Sequence, residues 1–119
     1  MKRLITELLT IFREKQARDT KPYWGILPEP TCREIGAAIC AGNLVPPTNT
    51  TPNHGNRDFH IGKIAWFVEN WQDGHPVGVS KDDRDIDGGH RVYAARYRGI
   101  IELEIVELKT NNPPPARTS

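Results

Sequence analysis

Cysteine is scarce in this chain. Cys32 and Cys40 are the only two in 119 residues, too few for a disulfide framework or a cysteine-built zinc site. With a helix between them they would stand roughly 12 Å apart along its axis, beyond disulfide reach, so both read as small buried apolar residues. Serine is as rare: Ser80 and Ser119 are the only ones, and no G-x-S-x-G surrounds Ser80, which removes a nucleophile elbow. A Walker sequence, a dinucleotide fingerprint and an H-E-x-x-H pair are also missing. The acidic run KDDRDIDGG lacks the terminal glutamate of a calcium loop, and no structural metal is expected. Neither sign of charge dominates: 16 Lys and Arg face 15 Asp and Glu, a net +1, which argues against a generic polyanion binder. Apolar runs of only a few residues exclude a membrane-spanning helix. The opening MKRLITELLTIFREK is interrupted by Glu7, Arg13, Glu14 and Lys15 and no small-residue cleavage site follows. It does not read as a secretory signal, and the cytoplasm is the expected compartment.

What the chain does have is pattern. Leu4, Leu8 and Ile11, with Ile5 and Phe12 beside them, form one apolar stripe on a helix predicted over Lys2 to Arg18. Prolines 22, 28 and 30 then deny a continuous helix. Thr31 caps a second helix through Ala41, with Glu34 in the capping-box position and Gly42 as a stop. A polar loop over 45–58 leads to a third helix over Phe59 to Trp71, capped by Asp58 and buried through Ile61, Ile64, Ala65, Val68 and Trp71. PVGVS reads as a short strand, HRVYAARYR as a fourth helix stopped by Gly99, and IIELEIVEL as a strand with Ile101, Leu103 and Ile105 inward. The fold class is α/β (α+β): a single domain over 1–109, with a small mixed sheet in the second half and a helical extension over 1–45 padding it. The residues over 110–119 are expected to be a disordered tail.

The stretch DIDGGHRVYAARYRG, Asp85 to Gly99, concentrates the chemistry. A helix start presents unpaired backbone N–H groups and a partial positive charge, which suits an anion. Gly88 and Gly89 let the backbone approach a ligand closely, and Arg91 adds a fork of donors matched to phosphate. The expectation is a solvent-open turn with the Arg91 guanidinium beside it. The plainer alternative has Asp87 capping the helix, His90 bonding to its own first turn, and Arg91, Arg96 and Arg98 solvated or paired with Glu102 and Glu104.

DGGHRVYAARYRG resembles the D-G-x-H-R-x-x-A-A-x-x-x-G motif of the ParB-like and sulfiredoxin-like superfamily. HIGKIAWFVENWQDGHPVGVS before it is similar to that family's helix leading into a P-[VI]-x-V strand. The resemblance covers about residues 56–108 and implies a turn that grips nucleotide phosphates. Carried over by position, Gly88, Gly89, His90 and Arg91 would form it, with Asp87 leading in and Asn56 and Arg57 matching a polar patch that faces the phosphates. An upstream acid of kinase-like relatives would be Glu34 or Asp58. Sulfiredoxins carry a cysteine where this chain has Gly89, which argues against sulfur chemistry.

Three functional readings follow. The first is a stand-alone, phage-like protein-binding or inhibitory factor that contacts a larger partner through Leu4, Leu8, Phe12 and Trp24. The second is a domain binding or hydrolysing a nucleotide of the CTP/ATP class, with magnesium arriving on the phosphates. The third is a nucleic-acid binder using Arg57, Arg84, Arg91, Arg96 and Arg98. The apolar stripe on the first helix also suits a homodimer. Whether any catalysis occurs is left open by the residues.

Overall fold

The computed structural model describes residues 1–18, 29–49 and 57–108. In chain order they form β1 (Lys2–Leu4), α1 (Ile5–Arg18), α2 (Cys32–Ala41), α3 (Arg57–Glu69), β2 (Val77–Val79), β3 (Ile86–Asp87), α4 (Gly89–Tyr97) and β4 (Glu102–Glu107). The strands lie in the order β1-β4-β2-β3. β1 runs antiparallel to β4, pairing Lys2 with Glu104 and Leu4 with Glu102. β4 is parallel to β2, and β2 is antiparallel to β3 with Gly78 opposite Asp87. The result is a small α+β domain with a mixed four-stranded sheet and four helices among the described residues. Among these residues no helix is long and apolar enough to cross a membrane.

The first turn of the N-terminal helix is displaced by strand pairing. Lys2–Leu4 were expected to be helical, but their backbone groups complete the edge of β4 instead, and the Leu4 N–H donates to Glu7 Oε1 at 3.2 Å. From Ile5 the predicted stripe holds, and Ile5, Leu8, Leu9, Ile11 and Phe12 are all buried. This corrects two expectations. The N-terminal half is not padding, because α1 supplies a large part of the core. Leu8 and Phe12 are not a partner-binding or dimer face either. Burial removes both from the surface, and of that stripe only Leu4 remains exposed, at 45%. Trp24, the other proposed partner contact, lies outside the described residues.

α2 begins as the sequence indicates. Thr31 Oγ1 accepts from the Glu34 N–H, Glu34 Oε1 accepts from the Thr31 N–H, and Gly42 closes the helix at φ +73°. The helix packs inward through Ile35, with Ile39 half-buried against the core. That orientation leaves Cys32 and Cys40 exposed, contrary to the buried reading. α3 starts at Arg57, so Asp58 falls within its first turn rather than capping it. Its buried side follows the predicted face through Ile61, Ile64, Ala65 and Val68, and Trp71 packs half-buried beyond its end.

After β2 the KDDRD turn is organised by Ser80, whose Oγ accepts the Arg84 and Asp85 N–H groups at 3.0 and 2.9 Å. The chain returns as β3, a strand where a bare turn was expected, because Ile86 and Asp87 pair with Val79 and Gly78. In β4, Leu103 is buried, while Ile101 precedes the strand and is 73% exposed rather than inward.

Glu29 ties the start of α2 to α1 and α4. It accepts from Arg13 Nε and Nη2 at 2.7 and 2.8 Å and from the Tyr93 hydroxyl at 2.6 Å. The Arg13 bonds and the Tyr93 hydroxyl hold this carboxyl down to about 2 against the cost of burial. Arg96 joins the cluster through the Pro30 carbonyl, and Arg98 donates to the Val68 carbonyl. Neither arginine takes the predicted partners Glu102 and Glu104.

Candidate anion site at the start of α4

α4 begins where β3 ends, beside the loop that enters β2. Gly88 is its N-cap at φ +111°, with no side-chain cap; a residue with a Cβ would be strained there. The Arg91 and Val92 N–H groups both donate to the Gly88 carbonyl, at 3.0 and 3.2 Å. Asp87 does not cap the helix as the plainer reading had it. The ladder contact with Gly78 fixes its backbone and leaves its side chain exposed. Gly89 is buried, and its Cα faces the Phe12 ring so closely that a Cβ would overlap it. The two glycines therefore serve different ends: Gly88 turns the chain, and Gly89 lets α1 press against the turn.

The side chains do not sit as the sequence suggested. Arg91 was expected to stand open to solvent, but it is only 5% exposed. Its guanidinium carbon lies 5.0 Å from the Trp71 ring centre and 5.9 Å from that of Phe67. Nη1 meets His75 Nδ1 and Nη2 reaches the Gln72 carbonyl at 3.4 Å. Arginine has no acceptor, so His75 Nδ1 is the acceptor at this contact. Arg91 Nε is buried with no hydrogen-bond partner. Among the described residues no carboxylate pairs with this guanidinium, and burial alone pulls its pKa down. A buried charge with no counter-charge is costly; the aromatic faces return part of that cost.

His90 faces the other way. Its Nε2 lies 3.0 Å from Nδ1 of His60, a buried residue of α3. Burial, then the nearby His60 and Lys63, push the His90 pKa down to about 3. The sign is that of a group kept neutral by folding. Its contribution is fully present above the unfolded value near 6.5 and is lost as pH falls through that value toward 3. Because His90 keeps some exposure, the loss between pH 6.5 and 4.5 is expected to be about 1–2 kcal/mol. Urea unfolding across that window reads it, and His90→Gln should flatten the slope. Glu29 and Glu34, each held at about 2, weaken the fold only below the ordinary carboxylate range. A native-like slope in His90→Gln would assign the effect elsewhere.

Arg57 is engaged with Glu34 through both Nη atoms, Nη2 to Oε1 at 2.6 Å. This pair fastens the start of α3 to the start of α2. Asn56 lies outside the described residues. No group of three or more His, Cys, Asp or Glu that could hold a metal ion occurs among the described residues.

Comparison with known proteins adds one partial likeness. Over 72 residues, 60% of this chain, the sequence is 35% identical to the transcriptional regulator NovG of Streptomyces niveus. The matched stretch is 21% of that protein, so the chain spans about a fifth of the length of the curated relative it matches. No family model matches the chain, and no solved structure matches it.

His60, Trp71, Gln72 and His75 were not read as site residues from sequence. His75 had a usable signal, since it sits two residues before a strand that pairs beside DGGHR. His60 had none beyond its place on a helix.

Proposed function

We propose that this chain is a nucleotide-binding domain that holds phosphate at the start of α4, with Arg91 as the charge that receives it. The observation that carries the reading is the buried Arg91 guanidinium, which has no carboxylate partner among the described residues and lies in the first turn of a helix whose N-cap has no side-chain cap. An anion there would supply the missing counter-charge and take the helix-start N–H groups as further donors. The resemblance of DGGHR to the ParB-like and sulfiredoxin-like phosphate turn supports the same reading.

The other two readings have less beneath them. Three of the five arginines offered for nucleic acid are engaged within the fold: Arg57 with Glu34, Arg96 with the Pro30 carbonyl and Arg98 with the Val68 carbonyl. The protein-binding face loses Leu8 and Phe12 to the core. Calorimetric titration with CTP, ATP and ADP in magnesium tests the proposal: saturable binding is expected for the native chain and none for Arg91→Met. No heat with any nucleotide would end it.

A further inference from the structure

The exposed member of the Arg91–His75 contact is the imidazole. Arg91 is buried, whereas His75, two residues before β2, is open to solvent. The turn that carries it has room: Gly74 stands at φ +78° with nothing within 4 Å of the place a Cβ would take. Among the described residues the guanidinium finds two acceptors, His75 Nδ1 and the Gln72 carbonyl at 3.4 Å, and neither is a carboxylate. Its Nε finds none. An imidazole nitrogen accepts only while it carries no proton. Once protonated, His75 Nδ1 becomes a donor, and two donors on two positive charges face each other. The charges nearby do not cancel that conflict. α4 brings Arg91 itself and Arg98, which lies 5.9 Å from the Trp71 ring centre. Asp73, in the same turn, already accepts from Trp71 Nε1 at 3.1 Å. α3 ends in the exposed Glu69, and β2 brings only Val77, Gly78 and Val79.

We infer that His75 is a proton-operated plug on Arg91, so that phosphate binding there is coupled to protonation of His75. Unprotonated, its Nδ1 holds the Nη1 donor that a phosphate oxygen would take. Protonated, it gives up that donor and turns from competitor into a second cation for the same phosphate. The proton comes from solvent, which the exposed ring can reach, and no covalent bond of the ligand changes. Histidine is the side chain whose charge ordinarily changes between about pH 5 and 8, so acidification opens the plug. Arg91 and a protonated His75 together match the double charge of a terminal phosphate group, which Arg91 alone does not.

The inference rests on the phosphate reading, and its test separates the two. ATP with magnesium is titrated calorimetrically into the full native chain, His75→Gln and His75→Ala at about pH 8 and about pH 5.5, the span over which histidine titrates. His75 is exposed, so both variants should fold. The glutamine oxygen can still accept from Arg91 but takes up no proton. His75→Gln meets the same nucleotide and keeps the other histidines, so the difference from native reads His75 alone. On acidification the native affinity should rise about tenfold more than that of His75→Gln, the worth of one hydrogen bond to a charged group. Buffers of different ionisation heat should show more protons taken up on binding by the native chain than by His75→Gln. His75→Ala removes the plug without replacing it and at the higher pH should bind about fivefold tighter than native, the worth of one ordinary hydrogen bond. An equal pH response in native and His75→Gln, or no gain in His75→Ala, overturns the role of His75 while the phosphate site stands. Absence of ATP binding by all three proteins at both pH values overturns the phosphate reading itself and the inference with it.

Discussion

Arg91→Met is expected to yield a protein at least as stable as the native chain that no longer binds nucleotide. Ordinarily, truncating a buried, hydrogen-bonded arginine is damaging because an acid is left behind without its partner. Arg91 has no acid to leave behind among the described residues, and its neighbours are the Trp71 and Phe67 rings, His75 and a carbonyl. Methionine fills much of the same volume and suits aromatic surroundings. Replacing buried charge by well-packed apolar volume is commonly neutral or stabilising by about 1–4 kcal/mol. Lost cation–π attraction subtracts about 1–2 kcal/mol from that gain. A melting temperature equal to or above native, together with loss of the calorimetric signal, is the combined result expected. If Arg91→Met instead melts far below the native chain, the guanidinium is a structural brace and its lack of a counter-charge says nothing about ligands.

Gly89→Ala should have the largest effect on the fold itself. The added Cβ would lie 2.8 Å from Cδ1 and Cζ of Phe12 and closer still to Cε1. Phe12 cannot retreat cheaply, because its ring is buried and set edge-on against Tyr93 at 5.8 Å between centres. Overpacking of this kind costs about 3 kcal/mol, which in a domain of this size lowers the melting temperature by about 10–20 °C. Adding Phe12→Leu to Gly89→Ala should recover part of that loss, since the shorter side chain withdraws the clashing ring edge. Strict additivity of the two substitutions would show that the contact does not govern the position of the turn. Gly88→Ala provides a contrast: its Cβ would meet Val77 methyl carbons at 3.6 and 3.7 Å, so its penalty comes from the backbone at φ +111° rather than from crowding.

These two substitutions show where reading the chain succeeds. Gly88, Gly89, His90 and Arg91 were picked out because a helix start next to glycine is an anion-friendly shape, and the backbone does form that shape. The reason for Gly89 was misjudged. Close approach is indeed what this glycine permits, but what approaches is Phe12, some 77 positions earlier in the chain. Arg91 was judged by its chemistry alone, and chemistry does not say which way a long side chain leans. Three aromatic or imidazole rings drew it inward.

Local rules decided a good deal. The capping box at Thr31 and Glu34, the stop at Gly42, the buried faces of α1 and α3, the short strand at Val77–Val79 and the inward Leu103 all follow from spacing and cap chemistry, which act within a few residues. Tertiary pairing decided the rest. Lys2–Leu4 became a strand because β4 offered an edge, and α1 became core because α4 and the sheet needed a cover. Glu34 took Arg57 as its partner, and His60 met His90 across 30 positions. Periodicity reports which face of an element is apolar; only packing reports what that face, and the polar groups at its margin, will meet.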